Sequence, residues 1–104
     1  MESGFVQAIK KADLHSGSMK TVDIQGKKVL LVNVQGTVYA MGAICNHRGW
    51  DLSEGTVEGY DVICAGHGSI WDVRTGKARF VEKLPDEPIY EVREEQGYIY
   101  VKLR

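Results

Sequence analysis

The chain has no long apolar run. No segment approaches the roughly 18 consecutive apolar residues that a membrane helix needs, and the opening stretch MESGFVQAIKKADL shows no charged-then-apolar leader pattern. The expected location is the cytoplasm. Nor is either sign of charge in excess: 13 Lys and Arg stand against 14 Asp and Glu, a formal net charge of -1, which argues against both a nucleic-acid surface and an acidic tail. Helix-length periodicity, repeats and low-complexity tracts are missing as well. Proline occurs twice, at Pro85 and Pro88, and cysteine twice, at Cys45 and Cys64, too few for a disulfide framework.

What is present suits one all-β domain over residues 1–104, large enough to bury a modest core. Short β-branched and aromatic runs recur between X-Gly pairs, Gln25-Gly26, Gln35-Gly36, Glu58-Gly59 and Gln96-Gly97, where glycine supplies the positive φ of a hairpin turn. The expected architecture is an antiparallel β-sandwich or small barrel. Its strands are placed at 4–9, 21–24, 28–34, 37–41, 56–58, 61–63, 69–72, 89–94 and 98–104. The run VLLVNV is apolar on both faces and is therefore expected to be central. Ile99, Val101 and Leu103 should share one face of the last strand, with Tyr100 and Lys102 on the other. The segment from Lys77 to Pro88 reads as a long loop, because its prolines stop regular pairing.

The chemistry is concentrated between Cys45 and His67. Both cysteines and two of the three histidines lie there, as Cys45-x-His47, sixteen residues, then Cys64-x-x-His67. Each half is a short loop that can offer two soft or borderline donors to one centre. A mononuclear zinc would accept two thiolates and two imidazoles, but familiar zinc patterns group Cys with Cys and His with His. Mixed loops suit a [2Fe-2S] centre in which one iron takes both thiolates and the other both imidazoles. The third histidine, His15, sits in a Ser- and Gly-rich stretch and reads as a solvated loop residue.

The boxes CNHRG and CAGHGSIWD, with their spacing, resemble the signature of Rieske-type [2Fe-2S] proteins. LSEG at 52–55, the Asp72 to Gly76 turn and LPDEP at 84–88 extend the resemblance from about Gly26 to the end. It implies a Rieske fold with cluster-binding loops at about 43–72 and one [2Fe-2S] cluster per chain. The implied metal ligands are Cys45, His47, Cys64 and His67, with both histidine edges at the surface and the proline loop as a third wall. Rieske proteins of respiratory and photosynthetic complexes tie the two loops by a disulfide. The matching positions here are Trp50 and Gly66, so the chain resembles the soluble ferredoxin branch that serves oxygenases.

Two residues depart from that branch. Ser69 is a serine more typical of the high-potential branch, and its hydroxyl is expected to bind the cover of the cluster by donating a hydrogen bond to a cluster sulfide. Trp71 stands where that branch has tyrosine and is read as packing. The implied function is a one-electron carrier between a ferredoxin reductase and a terminal oxygenase, not itself an enzyme, expected to act as a monomer without nucleic acid or membrane. The alternatives are a small Rieske-like subunit of a larger oxidoreductase such as nitrite reductase, and a zinc-stabilised binding module.

Overall fold

The computed structural model describes residues 4–45, 49–66, 68–81 and 83–103, and within them the chain forms ten strands. These are β1 (Phe5–Lys10), β2 (Met19–Ile24), β3 (Lys27–Val34), β4 (Thr37–Gly42), β5 (Thr56–Glu58), β6 (Asp61–Ile63), β7 (Ile70–Asp72), β8 (Ala78–Arg79), β9 (Ile89–Glu95) and β10 (Tyr98–Lys102). All strand pairs are antiparallel.

Three Gln-Gly pairs set the register of the larger sheet. Gln25, Gln35 and Gln96 have φ of 52°, 51° and 50°, and the glycine after each is also positive. Positive φ at both central residues is the type I′ pattern, whose twist matches that of the strands it joins. The flanking pairs Ile24↔Lys27, Val34↔Thr37 and Glu95↔Tyr98 close directly on these turns. The fourth turn differs from expectation. Glu58 is paired with Asp61, so the turn residues are Gly59 and Tyr60, with positive φ at Gly59 alone, as in type II′. This shift puts the Tyr60 ring under the Arg74 guanidinium, 4.0 Å from the ring centre, and edge-on to Tyr39.

One sheet has six strands in the order β1-β10-β9-β4-β3-β2, and the other has four in the order β5-β6-β7-β8. β3 is buried on both faces, as VLLVNV requires, but it is not central. It lies next to the edge strand β2. Leu30, Val32 and Val34 face the small sheet and pack with Met41, Val62, Trp71 and Val73. Val29 and Leu31 face the other way and pack with Ile24, Val38, Ile99 and Val101. That second core exists because β1, across a bulge between Gln7 and Ile9, returns against β2 and nearly closes the large sheet. The alternation of β10 is as expected, with Ile99 and Val101 buried between Tyr98, Tyr100 and Lys102.

Two connections fix the ends of the small sheet. The segment from Lys77 to Pro88 is not wholly a loop: Ala78 and Arg79 pair with Trp71 and Ile70 before the prolines intervene. Its far end is anchored by Glu87 N–H donating to Gly76 O at 2.8 Å and by Gly42 N–H donating to Pro88 O at 2.9 Å. The other connection is a short 3-10 turn, Leu52–Glu54, capped by Asp51. The Asp51 carboxylate accepts from Thr21 Oγ1 at 2.7 Å, Ser53 N at 2.9 Å and Ser53 Oγ at 2.8 Å. Burial works against its charged form, but these bonds and the nearby Lys28 charge outweigh it, so the carboxyl titrates below its ordinary value.

A carboxylate whose folded-state pKa is depressed contributes stability above its unfolded-state value and loses it as pH falls through the folded value. Asp51→Ala is expected to cost about 1 to 2 kcal/mol at neutral pH, the usual range for a lost cap with a further side-chain bond. In urea titrations from pH 7 downward, the gap between wild type and variant should narrow below about pH 4. A gap independent of pH would mean that the carboxylate charge is not what stabilises the turn.

Candidate metal centre

Cys45 and Cys64 begin two loops of the same construction. Ile44 bridges Asp51 across residues 45–50, and Ile63 pairs with Ile70 across residues 64–69. In the first loop Cys45 N–H donates to Trp50 O at 2.7 Å and Gly49 N–H donates to Cys45 O at 2.9 Å. In the second, Cys64 N–H donates to Ser69 O at 2.8 Å and Gly68 N–H donates to Cys64 O at 3.0 Å. The fifth residue of each must be left-handed for the chain to turn back, and it is glycine both times, with φ of 75° at Gly49 and 74° at Gly68. The described ends of the boxes CNHRG and CAGHG thus close in the same way, each with the cysteine as its first residue.

Both loop heads spend their backbone N–H and C=O on closing the loop, and their thiols lie in the core. Cys45 is 1% exposed and Cys64 2% exposed, neither is in a disulfide, and both pack with Leu30, Met41, Leu52, Val62 and Trp71. Leu84 of the proline loop packs on the same group. His47 and His67 lie outside the described residues, as do Asn46 and Arg48. Among the described residues no three His, Cys, Asp or Glu side chains are grouped to hold a metal. The donor chemistry of the part that is described fits an iron-sulfur cluster: two water-shielded thiols, one at the head of each of two matching loops. His15, expected to be a loop residue, is exposed, and its carbonyl accepts from the Ser18 N–H and hydroxyl.

The last residue of each loop reaches across to the other. Trp50, 45% exposed, lays its indole over Gly66: a β-carbon there would lie 2.6 Å from Nε1 and 2.7 Å from Cδ1 and Cε2. These are the two positions that correspond to the cross-loop disulfide of the respiratory branch, and here they are in contact without a bond. Ser69, 0% exposed, turns the opposite way, and its Oγ lies 3.6 Å from Cys45 Sγ. The same Oγ accepts from Trp71 Nε1 at 3.1 Å. Trp71 was expected to pack, and it does, but the polar edge of its ring is committed to Ser69. The signal for this was in the sequence. Ser69, Trp71 and Val73 are alternate residues entering and leaving β7 and all are buried, whereas Ile70 and Asp72 face partly outward. No local pattern places Trp50 on Gly66, since the contact joins two loops; the signal for it was the family resemblance, which set these two positions opposite each other.

Gly66→Ala should therefore displace the Trp50 ring and loosen the loop pair, at about 1 to 2 kcal/mol, a typical overpacking cost. The same substitution in a Trp50→Ala background should cost much less. Equal costs in the two backgrounds, measured by denaturant unfolding, would show that the indole does not hold that space.

Comparison with known proteins agrees with this geometry. The ferredoxin component of the naphthalene 1,2-dioxygenase/salicylate 5-hydroxylase systems of Ralstonia sp is 30% identical over 103 residues, covering 99% of both chains. The ferredoxin of carbazole 1,9a-dioxygenase from Nocardioides aromaticivorans IC177 superposes with a TM-score of 0.92 at 25% identity, over 98% of this chain and 100% of that one. A chain in the complex of reduced oxygenase and oxidized ferredoxin in carbazole 1,9a-dioxygenase gives 0.88 at 25% identity, over 97% of this chain and 94% of that one. Residues 4–93 match the Rieske [2Fe-2S] domain, and this chain, with its paired cysteine-headed loops, belongs to that family.

Proposed function

We propose that this protein is a one-electron carrier that takes electrons from a ferredoxin reductase and delivers them to a terminal oxygenase. The observation that carries the reading is the matched pair of loops with buried thiols, in a chain aligned along almost its whole length with ferredoxin components of dioxygenase systems. The four ligands are Cys45 and Cys64 as thiolates and His47 and His67 as neutral imidazoles, and the chain works as a single domain over residues 1–104. When bound, the cluster supplies reversible one-electron chemistry, at a higher potential than an all-cysteine centre because two anionic ligands are replaced by neutral ones.

The chain's own residues have three tasks. The loop backbones hold each cysteine at the head of a closed loop with its thiol buried. The core of Leu30, Met41, Leu52, Val62 and Trp71 keeps water from the thiols. The Ser69 hydroxyl lies 3.6 Å from the Cys45 sulfur, within reach of a hydrogen bond. No helix of the described residues is long and apolar enough to cross a membrane; we place the protein in the cytoplasm, as a monomer, beside its reductase and oxygenase.

Purified protein tests the reading directly. It should be red-brown, bleach on reduction and contain two irons and two sulfides per chain, as a [2Fe-2S] cluster requires. A colourless zinc protein would overturn it. Alanine at Cys45, His47, Cys64 or His67 should lower iron and sulfide content, together with the yield of folded protein, because binding and folding are coupled. Full occupancy in any one of the four variants would remove that residue from the ligand set.

Electron transfer needs a short path, so the partner should dock over the histidine edges, in a complex of the small, weak class usual for redox pairs. Ile44 and Trp50, both exposed at the ends of the first loop, supply apolar area, and the sequence of that loop carries the charge of Arg48. Arg48→Gln should slow electron transfer to the oxygenase and flatten its salt dependence while the visible spectrum stays unchanged. Unaltered kinetics across substitutions of these loop positions would place docking elsewhere.

A further inference from the structure

We propose that Trp71 is a positioning residue for the reduction potential: its indole N–H orients the Ser69 hydroxyl so that the hydroxyl proton points at the Cys45 sulfur. The inference rests on the cluster reading above and goes beyond it, from which residues hold the cluster to which residue sets the direction of a hydrogen bond onto it.

The indole N–H fixes one end of the proton arrangement. Trp71 Nε1 can only donate, and it does so to Ser69 Oγ at 3.1 Å. Ser69 Oγ in turn lies 3.6 Å from Cys45 Sγ. Taken alone, that pair could have either atom as donor, but a sulfur bound to iron is a thiolate and has no proton to give. The hydroxyl therefore donates, and the order of donation is Trp71 to Ser69 to Cys45. Ser69 and Trp71 are each 0% exposed, so no bulk water competes for the hydroxyl or the indole N–H. A hydroxyl that already accepts a hydrogen bond is a stronger donor, and a donor in a dry site keeps its full effect. Two elements impose the arrangement. The strand period of β7 brings Ser69 and Trp71 to the same face, and the pairing of Val62 with Trp71 fixes the indole over the small sheet.

The consequence is a bias toward the reduced state. Reduction adds negative charge to the centre and its thiolates, and a hydrogen bond donated to a thiolate strengthens as that thiolate becomes more negative. Phenylalanine at position 71 keeps an apolar ring, though a smaller one, and removes the N–H. The Ser69 hydroxyl can then rotate, and the proton is no longer held on the sulfur. Loss of the hydroxyl itself removes the bond altogether.

Voltammetry of wild type, Ser69→Ala, Trp71→Phe and the double variant at one neutral pH, with each cluster first verified by its visible spectrum, tests the proposal. Both single variants should have lower potentials than wild type, with Trp71→Phe falling by less than Ser69→Ala. The double variant should match Ser69→Ala, because the indole acts only through the hydroxyl. An unchanged or raised potential in Trp71→Phe overturns the proposal. So does an equal fall in the wild-type and Ser69→Ala backgrounds, which would mark Trp71 as acting through packing. If Trp71→Phe does not retain the cluster, site-specific replacement of Trp71 by benzothienylalanine, a ring of the same shape without the N–H, gives the same comparison with the same two outcomes. A wild-type protein that holds no iron-sulfur cluster fails at the spectrum, before any potential is read, and there the cluster reading falls together with this one.

Discussion

Two thiols must be held in one core, out of water, by loops from different parts of the chain, and the rest of this structure answers that constraint. A hairpin loop can hold a buried side chain at its head only if its own backbone polar groups are satisfied, since an orphaned buried N–H or carbonyl costs as much as a lost hydrogen bond. Loops 45–50 and 64–69 solve this identically. The cysteine N–H and carbonyl both bond within the loop, and glycine takes a left-handed position. The thiol is then the only polar group of that residue left to point inward, which is where a thiolate ligand must be.

The two loops are supported by different means because they leave different elements. The second is a true hairpin between β6 and β7, so the pairing of Ile63 with Ile70 sets it directly. The first leaves β4 and has only the Ile44–Asp51 bridge, and the capped turn after it carries the load, with Asp51 tied to Thr21 of β2 and Leu52 N–H bonded to Ala43 O at 2.7 Å. β3 then links the halves. Its two faces feed both cores, so the strand that supports the thiols on one side closes the large sheet on the other.

Much of this was legible in the residues. The Gln-Gly turns, the doubly buried β3, the alternation in β10 and the two-strand platform before Cys64 all follow from local patterns of period two and from turn chemistry. What was not legible depends on partners distant in sequence. β3 reads as central because burial on both faces usually means strands on both sides. Here a second sheet and a curled first one supply the cover, and β3 lies beside an edge strand. β8 is two residues long, too short to show a pattern of its own, and exists because β7 offers it an edge. The ligand set could be proposed from Cys and His spacing alone, but His47 and His67 lie outside the described residues, so the structure speaks for the thiol half of that set.

The two cross-loop contacts divide the work that a disulfide performs elsewhere in the family. A disulfide between these positions would both hold the loops together and influence the centre. In this chain the holding falls to Trp50 over Gly66, a contact at the surface, and the hydrogen bonding falls to Ser69 and Trp71, which are wholly buried. The separation has a physical consequence. Dispersion contacts with a half-exposed indole are weak individually and tolerate movement, so the loops can be closed without strain. The Trp71–Ser69 pair is hydrogen-bonded and dry, so the effect we propose for it is one that surface changes at Trp50 do not touch. An indole suits that inner position because it donates and cannot accept. A phenol there could reverse its hydroxyl, whereas the indole N–H can only donate to the Ser69 oxygen.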